Sequence, residues 1–169
     1  MADSADGISY ITHNAPAWRP ASSHIAMVDL APFGFENEQE QVWLRPLGEE
    51  GFEVCCIPFR VHGVSLGDRG KLSDGRFVSG VLSRSGRRVF RVFFTDPRPP
   101  VDFPDSRDGL RFVILSGGFL AEWSGDRHVA IDIPESCDPS PLFRAIEDAA
   151  INETVYCEWG DSEPFALSD

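Results

Sequence analysis

Lysine is almost missing from this chain: of 15 basic residues only Lys71 is a lysine, and the other fourteen are arginines. Basic charge is scarce altogether, with 27 acidic residues giving a net charge of -12. Broad, non-specific nucleic-acid binding needs many free Lys and Arg side chains and is therefore not expected. No apolar run approaches the roughly 18 residues of a membrane helix, so no membrane association is expected. The start, Met1-Ala2-Asp3-Ser4-Ala5-Asp6, lacks a basic and an apolar region and predicts no secretion signal. The expected location is the cytoplasm. Four cysteines are present (Cys55, Cys56, Cys137, Cys157) with no CxxC pair, which argues against a zinc site and for reduced thiols. There is no G-x-S-x-G, P-loop, H-E-x-x-H or dinucleotide glycine motif, and no cofactor or metal is expected.

What is there is globular. Hydrophobic content of 42% and charged content of 25% match a folded protein of 169 residues, one domain or two small ones. The charge is segregated. From Arg60 to Arg91 there are eight basic residues against Asp68 and Asp74, whereas from Leu120 onward twelve acids face only Arg127 and Arg144. Either the two parts pair within one molecule, or the acidic end meets a basic partner.

The patterning predicts α+β architecture. Residues 1–36 read as an irregular N-terminal extension pinned by Trp18, Phe33 and Phe35, with one strand or helical turn at 24–30. Residues 37–87 read as a β-rich subdomain, a small twisted sheet or barrel-like part with strands at 41–47, 52–59 and 76–83. Residues 88–161 read as strand 88–94, helix 106–115, strands 119–123 and 128–133, a helix capped by Asp138 or Ser140, and strand 154–159. That β-α-β-β-α-β order predicts a ferredoxin-like subdomain. Residues 162–169 read as a loose tail.

Several of these residues form a familiar set. Gln41-Val42-Trp43, Ile57-Pro58-Phe59, Gly63-Val64-Ser65-Leu66-Gly67-Asp68, Ser85-Gly86 followed by Arg91, and Cys157-Glu158-Trp159-Gly160 resemble the bacterial domain-of-unknown-function family DUF4265 over residues 38–161. The resemblance implies a cytosolic bacterial domain and leaves its reaction open. Many relatives place a His just after the Ser-Gly; here that position is Arg87.

Three site readings follow. In the leading one, the chain is a non-enzymatic protein-binding module, of inhibitor or immunity type. Its acidic face of Glu122, Asp132, Glu147, Asp148, Glu158 and Asp161, with Trp123 as a candidate anchor, meets a basic protein surface. In the second, Arg84, Ser85, Arg87 and Arg88 around the Gly86 bend hold a small anion, giving a ligand-responsive regulatory domain. In the third, His62 and Asp68, close in sequence to Ser65, serve a hydrolase-type enzyme. The bland alternative makes His62 a loop residue and Asp68 the cap of a glycine turn. Glu122, Asp132 and Glu158 are also expected to share one sheet face, as paired catalytic carboxylates would and as any half-exposed sheet does.

Overall fold

The computed structural model describes residues 7–161, so the tail expected after residue 161 lies outside the described residues. Ten strands and two helices follow in order: β1 (Ser9–Ile11), β2 (His24–Asp29), β3 (Glu38–Pro46), β4 (Phe52–Val54), β5 (Arg69–Ser73), β6 (Phe77–Ser83), β7 (Arg88–Phe94), α1 (Ser106–Gly117), β8 (Ala121–Ser124), β9 (His128–Ile133), α2 (Ser140–Ile151) and β10 (Val155–Trp159). The protein is α+β. No helix among the described residues is long and apolar enough to cross a membrane.

The first sheet closes on itself. Its order is β1-β3-β2-β6-β5-β4, and β3 also pairs with β4, which makes a five-strand barrel with β1 added. Nine-residue β3 permits this because β1 and β4 use different ends of it, at Glu38–Glu40 and Leu44–Pro46. Closure removes the free edges of a small sheet. Apolar residues turned inward (Ala26, Val28, Val42, Leu44, Val54, Val78) form the barrel core. The β3–β4 turn needs Gly51, which has φ +92°, and a Cβ there would lie 2.6 Å from the Gly70 carbonyl oxygen.

The segment expected to be an irregular extension thus contributes one barrel strand, β2, and the strand β1 appended to β3. Residues 24–30 resolve into strand β2, paired along β3 from His24 to Asp29. Trp18 packs at the junction, and Phe33 and Phe35 pack on the barrel core.

The second sheet is antiparallel with order β10-β7-β9-β8, and α1 and α2 lie on one of its faces. Strand alternation sends Phe90, Val92 and Phe94 of β7 and Val129, Ile131 and Ile133 of β9 to that face, against Leu110, Ile114, Leu142 and Ile146. The opposite face meets the barrel through Val89 and Ala130, packed on Ile57, Phe59 and Leu66.

The strand expected at 52–59 ends at Val54. From Cys55 to Asp68 the chain runs without regular pairing between barrel and second sheet, and all of it except Arg60, His62 and Gly67 is buried. A buried irregular segment must satisfy its backbone elsewhere, and how it does so defines the junction.

Candidate functional site

Two carboxylates hold the buried segment. Glu40 of β3 accepts the backbone N–H groups of Phe59 (2.5 Å), Arg60 (2.8 Å) and Val61 (3.0 Å). Glu122 of β8 accepts those of Ala17 (2.9 Å) and Ile57 (2.7 Å). His13 lies between them, its Nε2 3.1 Å from Glu40 and its Nδ1 bonded to Glu122. Its ring stacks on Phe59 at 4.5 Å, and its carbonyl accepts the Trp43 indole N–H at 3.1 Å. Burial works against a charged ring, but the Cys56 sulfur and the carboxylates of Glu122 and Glu40 outweigh it and raise His13 well above the usual histidine value. Burial likewise pushes Glu40 up, but His13, Arg91 and the Phe59 N–H hold it below the usual carboxylate range. One imidazolium between two carboxylates thus ties the N-terminal segment, the barrel and the second sheet together.

Arg91 of β7 completes the junction. It is buried, and its guanidinium donates to the carbonyls of Pro58 (3.1 Å) and Val61 and to Glu158 (3.0 Å). Gly160 lies on its face, where a Cβ would come within 2.7 Å of Nη2.

The residues singled out by sequence separate into three sets. Glu122 and Asp132, expected on an exposed acidic face, are instead buried and belong to no such face. They do share the barrel-facing side of the sheet with Glu158, as the register Glu122–Ala130–Arg91–Glu158 requires. Each has its own partner there: His13 for Glu122, Arg87 for Asp132 and Arg91 for Glu158. Burial pushes Asp132 up to about 6 despite Arg87. Trp123 faces the helices, stacked on Phe94 at 6.2 Å and covered by Arg111 at 3.7 Å, so it closes the core there.

The arginine loop is internally engaged. Arg84 lies 3.2 Å from Asp68, Arg87 bonds Asp132, and Arg88 lies 2.7 Å from Asp161 with its guanidinium 3.7 Å over Trp159. Asp68 organises the turn by accepting Ser65 N–H (2.9 Å) and Ser85 N–H (2.7 Å), and Ser85 donates to the Leu66 carbonyl (2.7 Å). His62 does not join Asp68; its carboxylate neighbour is Glu158, at 3.5 Å.

Glu147, Asp148 and Glu158 remain exposed, and Asp161 is half-buried at the same end of the molecule. Glu147 and Glu158, with Arg144, stand at the rim of an apolar groove of about 510 Å³ between α2 and β10, lined by Phe143, Ile146, Ile151, Cys157 and Trp159. Phase explains it. Leu142 and Ile146 of α2 face the core, Phe143, Glu147, Ala150 and Ile151 turn outward, and β10 is the last strand of its sheet. Cys157 is exposed here, and all four cysteines are free thiols.

Sequence reasoning missed His13, Glu40 and Arg91. Their signal was weak: an isolated His and Glu give no spacing, and alternation gives Arg91 a face without saying what covers it.

A family model, "Domain of unknown function (DUF4265)", matches residues 40–154, and the chain belongs to that family. The fold is similar to that of the crystal structure of a hypothetical protein from Neisseria gonorrhoeae. The TM-score is 0.62 at 14% identity, covering 89% of this chain and 100% of that one, a likeness of fold alone. Among curated proteins, none matches.

Proposed function

We propose that this member of the DUF4265 family is a non-enzymatic protein-binding module, of inhibitor type, that engages a basic partner through its α2–β10 face. One observation carries the reading: an apolar groove rimmed by exposed carboxylates. Between Ser140 and Asp161 there are five acidic residues; Glu158 faces Arg91 and Asp161 faces Arg88, which leaves Glu147, Asp148 and Glu153 with Arg144 as the one base of that span. Apolar contact gives such a surface affinity, and its charge steers association and selects the partner. The acidic face is narrower than composition alone implies, because Glu122 and Asp132 serve the junction. Arginines 84, 87 and 88 each face a carboxylate of the same molecule, which favours this reading over an anion-responsive loop. The order β7-α1-β8-β9-α2-β10, with β7 and β9 central, supports a ferredoxin-like reading of the second half, whose helices then present the groove.

The test compares the tagged chain with its Glu147→Lys/Asp148→Lys variant in a pull-down from native lysate at low salt. The expected result is a stoichiometric partner held by the natural sequence, released at about 0.5 M salt and lost from the variant. A partner retained equally by both, or none at all, overturns the reading.

A further inference from the structure

The groove runs beside a strand edge. Thr95 donates its N–H to the Thr154 carbonyl (3.0 Å), and Gly160 donates its own to the Val89 carbonyl (2.8 Å). These bonds fix the phase of the β7–β10 ladder. Residues 154, 156, 158 and 160 turn their backbone groups toward β7, so Val155, Cys157 and Trp159 turn theirs away from it; Val155 is buried, which leaves Cys157 and Trp159 as the open edge. Among the described residues no strand pairs with that edge.

Free edges in natural sheets are ordinarily blunted by proline, lysine, a bulge or brevity. β1 has three residues and β8 four. β10 has five, Val-Tyr-Cys-Glu-Trp, without proline, lysine or any shift in register. The side chains of Cys157 and Trp159 lie on the helix side and form one wall of the groove; α2 forms the other.

We propose that the partner is captured by strand addition. An extended segment pairs with the outer edge of β10, sets alternate apolar side chains into the α2–β10 groove, and carries basic side chains that reach Glu147 and Glu158. This deepens the protein-binding reading and rests on it. The geometry supplies both parts of such recognition: main-chain bonds for affinity, and a pocket on one face for every second side chain. Charge selects the occupant. A second copy brings the same -12 and the same acidic edge, and residues 162–169 carry Glu163 and Asp169 with no base. A basic, apolar-alternating segment from another protein complements what is there.

The probe is a fluorescein-labelled peptide of about nine residues alternating valine and arginine, long enough to span the edge. It is titrated against the full chain by anisotropy, beside a twin N-methylated at alternate residues. The twin has the same charge but lacks the donors that pairing uses. The expected result is binding of the plain peptide and weakening by about tenfold or more on methylation, the scale of one or two hydrogen bonds. Cys157→Pro should weaken it similarly while leaving the fold intact by circular dichroism, because the Cys157 N–H points away from β7. Equal binding of both peptides means charge attraction alone and overturns the proposal, as does no binding at about 1 mM. If Cys157→Pro disrupts folding, the methylated peptide against the natural sequence still decides. A dimer of the natural chain in sedimentation, abolished by Cys157→Pro, would make a second copy the occupant and overturn the assignment to a basic partner. Loss of strand addition with a lysate partner still sensitive to Glu147→Lys/Asp148→Lys sinks only this mode; insensitivity to that variant sinks the binding reading itself.

Discussion

Glu40 and Glu147 are the same side chain put to opposite uses. Glu40 is fully buried and accepts three backbone N–H groups besides His13, while Glu147 stands exposed at the rim of an apolar groove. Glu122 and Asp68 belong with the first; Asp148 and Glu158 with the second. The buried carboxylates stand in for a missing sheet ladder: they collect the donors of residues 57–61 and 65, which no strand pairs. A charge moved out of water costs several kcal/mol unless it is paired and hydrogen-bonded, and Glu40, Glu122 and Asp68 each gather several donors. Net charge therefore overstates the acidic surface of this protein, and three of its exposed carboxylates, Glu147, Asp148 and Glu158, fall on α2 and β10 of the second half.

The contrast breaks most visibly at Glu122. Glu122→Ala strips the Ala17 and Ile57 N–H groups of their acceptor and leaves His13 with one carboxylate. The expected loss is about 3–5 kcal/mol in urea unfolding, the cost of breaking a buried pair from one side. A loss below about 1 kcal/mol would mean that the junction does not tie the two halves together.

Gly160 tests the cationic side of the junction. Its missing side chain lets the Arg91 guanidinium lie flat beneath it, and Gly160→Ala places a methyl 2.7 Å from Nη2. The shift this forces is expected to cost about 1–3 kcal/mol, typical of overpacking. An unchanged unfolding midpoint would show that Arg91 has room to move.

Acid should expose the difference between groups whose burial has been offset and those whose burial has not. His128 sits beside Arg91 and Arg60 on the barrel-facing side; burial first, then those charges, bring it from 6.5 to about 4. Its folded-state value is lower than its unfolded value, so stability falls as pH drops from about 6.5 toward 4. Asp132, raised to about 6 by burial, works the other way and favours folding as pH falls through 6. The His13 contribution is complete below 6.5 and lost as pH rises through its raised value; that of Glu40 is present above 4.5 and lost in acid. His128→Asn should therefore lose less stability between pH 7 and about 4.5 than the natural chain, by urea midpoints at both pH values. Parallel losses would remove His128 from the acid response.

Legibility in the sequence followed the same division. Strands β7, β9 and β10 and helices α1 and α2 emerged from their local pattern because their apolar faces meet one another in a single sandwich, while the caps did not: α1 is capped by Asp105, and α2 has Pro139 at the cap position in place of Asp138 or Ser140. Asp68 emerged as a turn organiser because its bond to the Ser65 N–H is local. The strand expected at 52–59 failed at Cys55, since apolar β-rich composition also suits a buried irregular run whose backbone is served from far away. Residues 1–36 looked irregular because β1 and β2 acquire strand geometry only against β3. Alternation put Glu122, Asp132 and Glu158 on one face correctly, yet gave no sign that the barrel covers two of them.

The smallest expected change in stability is the sharpest test of the exposed set. Among the described residues Glu147 has no ion-pair partner, and its side chain projects from the outer face of α2, where a surface substitution ordinarily moves stability by less than about 0.5 kcal/mol. Glu147→Lys should therefore melt with the natural protein while its affinity for a basic segment falls, because reversal turns attraction at the rim into repulsion. A matching loss of stability would mean that Glu147 supports the fold as Glu40 does, and that the distinction between the two sets of carboxylates is one of depth alone.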